Sequence, residues 1–161
     1  MSHTFQRLLV AVSLLSLFTF LSPVLAAEKT EDQLIADLDS PQVKVVNGAL
    51  LKLEKLHPTS TKAFPKMKKL LADSRPEVRR KAGRVFGALH ADLDKEDIKL
   101  IAAMLRAPDA QEQMDALKSL RGLKAPETVP DILPLLKSPA PNIVRDACRT
   151  LAVLGNKDTI P

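Results

Sequence analysis

The sequence predicts an all-α fold, a solenoid of about four helix pairs that is incomplete at its C-terminus, and three observations lead there. First, a small–apolar–apolar phrase at spacings of four and three is written four times: Ala49-Leu53-Leu56, Ala82-Phe86-Leu89, Ala116-Leu120-Leu123 and Ala147-Leu151-Leu154, with the alanines 33, 34 and 31 residues apart. Second, each of the first three phrases is followed by another apolar run in its own register: Phe64-Met67-Leu70-Leu71, Ile98-Ile101-Met104-Leu105 and Val129-Ile132-Leu135-Leu136. Third, short stretches rich in Ser, Asp and Pro separate these runs.

Each element follows from that spacing. Positions i, i+4 and i+7 share one helical face, so every phrase is a helix A that offers one small and two large residues to a partner. Leu53, Phe86, Leu120 and Leu151 are the predicted core of this series. The second run, at i, i+3, i+6 and i+7, is a helix B. A single amphipathic helix cannot bury its own apolar face, and stacked pairs cover one another. Asp39-Ser40-Pro41, Asp73-Ser-Arg-Pro76, Ala107-Pro108-Asp109 and Ser138-Pro-Ala-Pro141 introduce the A helices. Ser or Asp there is expected to accept from free first-turn amides, and Pro is harmless where the N–H has no helical partner.

With these residues in view, the chain resembles the HEAT-repeat family. The segment Asp73-SRP-Glu77-Val78-Arg79-RK-Ala82-GRVFGAL-His90 is similar to the HEAT consensus, and so is Ile143-VRDACRTLAVLGNKDTIP, with its Leu154-Gly155 ending. The short period is similar to the compact HEAT-like repeats of bilin lyases, and shorter than the ~40–47 residues of longer HEAT and armadillo units. The resemblance runs from about residue 32 to 161 and implies a right-handed, armadillo-like array with the A and B helices on opposite faces. Val46 and Gln113 stand where the consensus Arg belongs, so any Asp–Arg ladder between repeats is expected to break at the first and third copies. A tetratricopeptide array competes on period but lacks its aromatic signature, because the chain has no Trp or Tyr.

The N-terminal segment is of another kind. Arg7 precedes an apolar run from Leu8 to Leu21, and Ser22-Pro23-Val24-Leu25-Ala26-Ala27 has the pattern of a secretory cleavage site. We therefore divide the chain into a signal peptide, 1–26, and a HEAT-like repeat domain, 27–161, periplasmic or secreted after cleavage near Ala26. An uncleaved leader is nearly long enough to hold the protein in a bilayer.

Composition and motifs exclude several functions. The single cysteine, Cys148, forbids an intrachain disulfide, and no motif gives it an acid–base partner, so it reads as a small buried hydrophobe. Outside the leader the only aromatic residues of the Phe, Trp and Tyr class are Phe64 and Phe86, which leaves no platform for sugars or bases. There is no HExxH, GxSxG, CxxC or glycine-rich phosphate loop. No catalytic residue, cofactor or metal ligand is expected. His57 and His90 each follow a helix A phrase and read as recurring polar turn residues rather than as a metal pair. Asp92, Asp94, Glu96 and Asp97 fail the calcium-loop test, since position 97 lacks Gly and position 103 lacks Glu, and they suit the start of a helix B.

Charge is the stronger signal. The chain carries +5 in all, and residues 62–84 hold nine basic side chains against Asp73 and Glu77. A well-solvated second repeat accounts for this run as readily as an anion-binding surface does. HEAT-like arrays line their concave face with B helices, and there the non-core positions change from Lys66, Lys68 and Lys69 through Leu100 to Leu133. The candidate partner-binding residues are Lys62, Lys66, Lys68, Lys69, Leu100 and Leu133, facing an acidic or amphipathic segment of another protein. Leu100 and Leu133 alternatively seal neighbouring B helices.

The expected function is an exported scaffold for protein–protein interaction, not an enzyme. An accessory or catalytic component of a lyase-type enzyme is the alternative from a different class. Another is a peripheral envelope protein that meets anionic lipid through its basic patch. Nucleic acid is not an expected partner for an exported chain. Asn156-Lys-Asp-Thr159-Ile160-Pro161 matches the opening of the third helix B, so the last helix A is expected to lack its cover, either because the chain is a truncated version of a longer repeat protein or because this end is a surface for self-association.

Overall fold

Helices account for 77% of the described residues, and no strand occurs among them. The computed structural model describes residues 28–57 and 61–155. In chain order the α-helices are α1 (Glu31–Asp37), α2 (Val43–Leu56), α3 (Phe64–Lys69), α4 (Pro76–Leu89), α5 (Lys95–Ala103), α6 (Ala110–Leu123), α7 (Val129–Ile132) and α8 (Pro141–Leu154). The protein is an all-α solenoid in two layers. Helices α2, α4, α6 and α8 are the A helices and pack side by side, each against the next.

The B helices are shorter and end tightly. Helices α3, α5 and α7 run into 3₁₀ turns at Leu70–Ala72, Met104–Arg106 and Leu133–Lys137, and each tail lies against the following A helix. Pro134 has no N–H to donate, so the third tail cannot continue as α-helix. Helix α1 precedes the first A helix and carries neither of the two repeated apolar patterns in full. Its signal was present: Thr30 and Gln33 form a reciprocal capping box, and Leu34 and Leu38 bury against α2. Met67 and Leu71 repeat Leu34 and Leu38 one period later, so α1 serves as a leading helix B.

The predicted core series holds for Leu53, Phe86 and Leu120, all buried, with Phe86 and Leu120 at 0% exposure. Leu151 departs from it, being only partly buried against the core, because α8 has an A-helix neighbour on one side alone among the described residues. Leu56 is also outside the expected core, exposed at the end of α2, and so is Cys148, which follows the buried Ala147 on α8 but turns to the exposed side of the helix. The helix starts differ from the expected capping too. In three of the four turns the polar side chain lies two residues before the N-cap and accepts the N-cap's own amide: Ser40 from Gln42, Asp73 from Arg75 and Ser138 from Ala140. Only Asp109 is itself the cap, accepting from Gln111.

The two histidines differ as well. His57 is extended and stacks on Phe64 at 5.6 Å, and Phe64 in turn meets Phe86 edge to face, also at 5.6 Å. His90 takes the left-handed conformation that ends α4, and its Nδ1 lies 2.6 Å from the Gly122 carbonyl of the next repeat. The predicted leader, 1–26, and the predicted opening of a fourth helix B at 156–161 lie outside the described residues.

Candidate partner-binding site

The candidate residues sit on the B layer, where ion pairs join successive elements. Lys62 reaches Asp32 on α1 and Lys66 reaches Asp39 just beyond it, both at 2.5 Å. Lys68 spans to the start of α5, lying 2.5 Å from Asp97 and 3.2 Å from Asp94. Arg106, at the end of the second tail, continues the series with Asp131 on α7 at 2.6 Å. Much of the basic character that the sequence concentrates in the first B helix is therefore answered by carboxylates one element away. Lys69 is exposed and makes no ion pair among the described residues.

The electrostatics follow these contacts. The hydrogen bond to Asp97 holds the Lys68 ammonium above its ordinary pKa, against the opposing effect of burial, and Asp94 adds to the rise. The hydrogen bond from Lys62 to Asp32 raises Lys62 likewise. Asp94 is lowered, first by the Asp97 amide it caps and then by Lys68. The acidic cluster thus starts α5 as expected, and among the described residues no group of three ligating side chains could hold a metal ion.

Leu100 and Leu133 diverge. Leu133 packs partly buried against the core, whereas Leu100 is 38% exposed. Leu100 lines a groove of about 460 Å³ with Leu71, Ala103, Met104 and Pro108, where the first B tail meets the second B helix. Lys68 pairs with Asp97, three residues before Leu100 on α5, so Leu100 follows the end of the basic helix, whereas Leu133 does not line this groove.

One wall of this groove carries residues that the sequence reading did not single out as a site. Arg79 donates from Nε and Nη2 to Glu112 Oε1 at 3.2 and 2.7 Å, and from Nη1 to the carbonyls of Asp73 and Ser74 at 2.8 and 3.1 Å. Glu112 is 3% exposed and occupies the place held by Val78 in the second A helix and Ile143 in the fourth. An acid at an otherwise apolar register position was the available sign. The expected break in the ladder takes a particular form: Gln113 keeps the bond to its own turn, donating to the Ala107 carbonyl at 2.8 Å, while Val46 is simply buried. In the fourth copy Val144 holds the register of Arg79, and Arg145 falls one position later with its side chain 60% exposed.

Two helical layers, short repeats and an open groove on the B side make this a helical-repeat scaffold. Residues 98–161 match the family model of HEAT repeats, so the HEAT likeness read from the sequence stands over that stretch. No curated protein matches the chain. Among solved structures it is similar to an engineered protein at 18% identity and TM-score 0.59, with 77% of this chain covered and 62% of the other. A second engineered protein gives 20% identity and TM-score 0.55, over 80% of this chain and 39% of that one. The complex of CpcE and CpcF of phycocyanin lyase from Nostoc sp. PCC7120 gives 18% identity and TM-score 0.51, over 80% of this chain and 66% of that one. At such identities the likeness is one of fold. The chain spans less than two thirds of the length of each of these structures.

Proposed function

We propose that this chain is an exported HEAT-like scaffold that docks a segment of another protein along its B helices and carries no chemistry of its own. The observation that supports this most is the groove at Leu100, apolar on its floor and bounded by Arg79, Glu112 and Arg106. An amphipathic partner would set apolar side chains against Leu100 and Met104 and acidic ones toward Lys68 and Lys69. The existing ion pairs do not forbid that. Exposed pairs are worth only about 0–1 kcal/mol, so a partner's carboxylate can replace Asp32 or Asp39 at little cost.

The test is a photo-crosslinking residue placed at Leu100 in the native host, with a matched one at Leu51, which is exposed on α2. A discrete protein adduct from position 100, absent from position 51 and lost on Ala103→Glu, is the expected outcome. Equal adducts from both positions would refute docking at the groove. Export is tested separately by mass spectrometry, which should find the mature chain beginning at Ala27.

A further inference from the structure

The A layer carries a second charged surface, and its cations are less answered than those of the first. Where α4 and α6 run side by side near their C-terminal ends, their backbones nearly touch. A Cβ added at Gly122 would lie 2.2 Å from the Gly87 carbonyl oxygen, and one added at Gly87 would lie 2.8 Å from the Ser119 Cα. With no side chain at that contact, the residues flanking it converge over a groove of about 470 Å³. Arg84 comes from α4, Lys118 and Arg121 from α6, and Lys124 from the left-handed residue that ends α6.

No carboxylate lines this groove. Among the described residues Lys118, Arg121 and Lys124 make no ion pair, and Arg84 has only Asp115 at 3.9 Å. In and just before α3, by contrast, Lys62, Lys66 and Lys68 each lie within 3.2 Å of an aspartate. The negative ends of α4 and α6 moderate the repulsion among these cations without satisfying their donors. Guanidinium and ammonium groups placed together are matched by an oxyanion, which accepts several charge-assisted hydrogen bonds at once. The groove falls within the roughly 300–1,000 Å³ of small-ligand sites. Its one ring is the imidazole of His90, whose Nδ1 lies 2.6 Å from the Gly122 carbonyl, and no Phe, Tyr or Trp lines it as a stacking platform, so it would recognise the anionic group itself.

We propose that the α4–α6 groove binds a phosphate-type oxyanion bearing two or more negative charges, either free or as an exposed headgroup. This site is separate from the B-layer groove and stands whether or not a protein segment docks there. The probe is inorganic phosphate, titrated at constant ionic strength into the full chain while the amides of residues 84–90 and 118–124 are followed by NMR. Wild type should give a saturable shift there. Lys118→Gln/Arg121→Gln/Lys124→Gln should weaken it by about tenfold or more, the effect of losing one or more charge-assisted contacts. Arg84→Gln, at a half-exposed side chain, provides a second variant with little risk to folding. Lys62→Gln/Lys66→Gln/Lys69→Gln removes the same charge from the B layer and should leave phosphate affinity unchanged. Equal weakening by the two triple variants, or no saturable shift in wild type, would overturn the proposal. Sedimentation with phosphatidic acid vesicles, set against phosphatidylcholine, separates the sources. Vesicle binding that phosphate competes away assigns a headgroup, and phosphate binding without vesicle binding assigns the free ion.

Discussion

The contact between α4 and α6 has two unlike ends. At its N-terminal end charge is closed within the fold: Arg79 spends its donors on Glu112 and two turn carbonyls, and Arg80 reaches Asp109 at 3.1 Å. At its C-terminal end glycine backbones meet, and Arg84, Lys118, Arg121 and Lys124 crowd a groove without a carboxylate. The same two helices thus use cations to hold repeats together at one end and leave them to solvent at the other. Density of charge along the chain does not decide which role a residue plays. Distance to an acid on the neighbouring element does.

The largest test of this contrast is steric. Gly122→Ala forces the helices apart at the open end, and its expected cost is about 3 kcal/mol, at the upper end for overpacking. Gly48→Ala in α2 meets nothing within 4 Å and should instead stabilise by about 0.5–1 kcal/mol. Urea unfolding of both variants checks the pair of signs; a neutral Gly122→Ala would mean that the helices do not approach so closely. The closed end is probed by Arg79→Met, which strands a buried carboxylate and should cost about 3 kcal/mol. Adding Glu112→Leu restores the apolar character of this register position, so Arg79→Met/Glu112→Leu should recover most of the loss. Failure to recover would show that the bonds from Arg79 to the turn carbonyls matter more than its pairing with Glu112.

The smallest effect is in acid. Asp73 is held below the ordinary aspartate value of 3.8, chiefly by its hydrogen bond with the Arg75 side chain and also by the Arg75 amide. The folded state therefore binds its proton less readily than the unfolded state. Its contribution is fully present above 3.8 and lost as pH falls through the lowered folded value. Asp73→Asn should cost about 1 kcal/mol at neutral pH, and urea midpoints of variant and wild type should converge at the acid extreme. A gap that stays constant throughout would remove Asp73 from the acid response.

The helices were legible because their period repeats and their apolar positions are few and regular. Phe86 and Leu120 could be placed from spacing alone, since i, i+4 and i+7 fix a face whatever the neighbours do. The site was less legible. Lys62, Lys66 and Lys68 stand out as a basic run, but the aspartates that answer them lie 26 to 30 residues away in sequence and become neighbours only on stacking. The groove cations have the opposite history, scattered from residue 84 to 124 and gathered by the Gly87–Gly122 approach. Neither glycine announces itself, because only the crossing of two helices makes the missing Cβ necessary.

The edge-to-face pair of Phe64 and Phe86 also has an optical consequence. The chain has no Trp or Tyr, and outside residues 1–26 these two rings are its only Phe chromophores. Fixed in contact between a B helix and the next A helix, they make near-ultraviolet circular dichroism a report on one junction of the array, and a tryptophan introduced at any other repeat would fluoresce against a dark background.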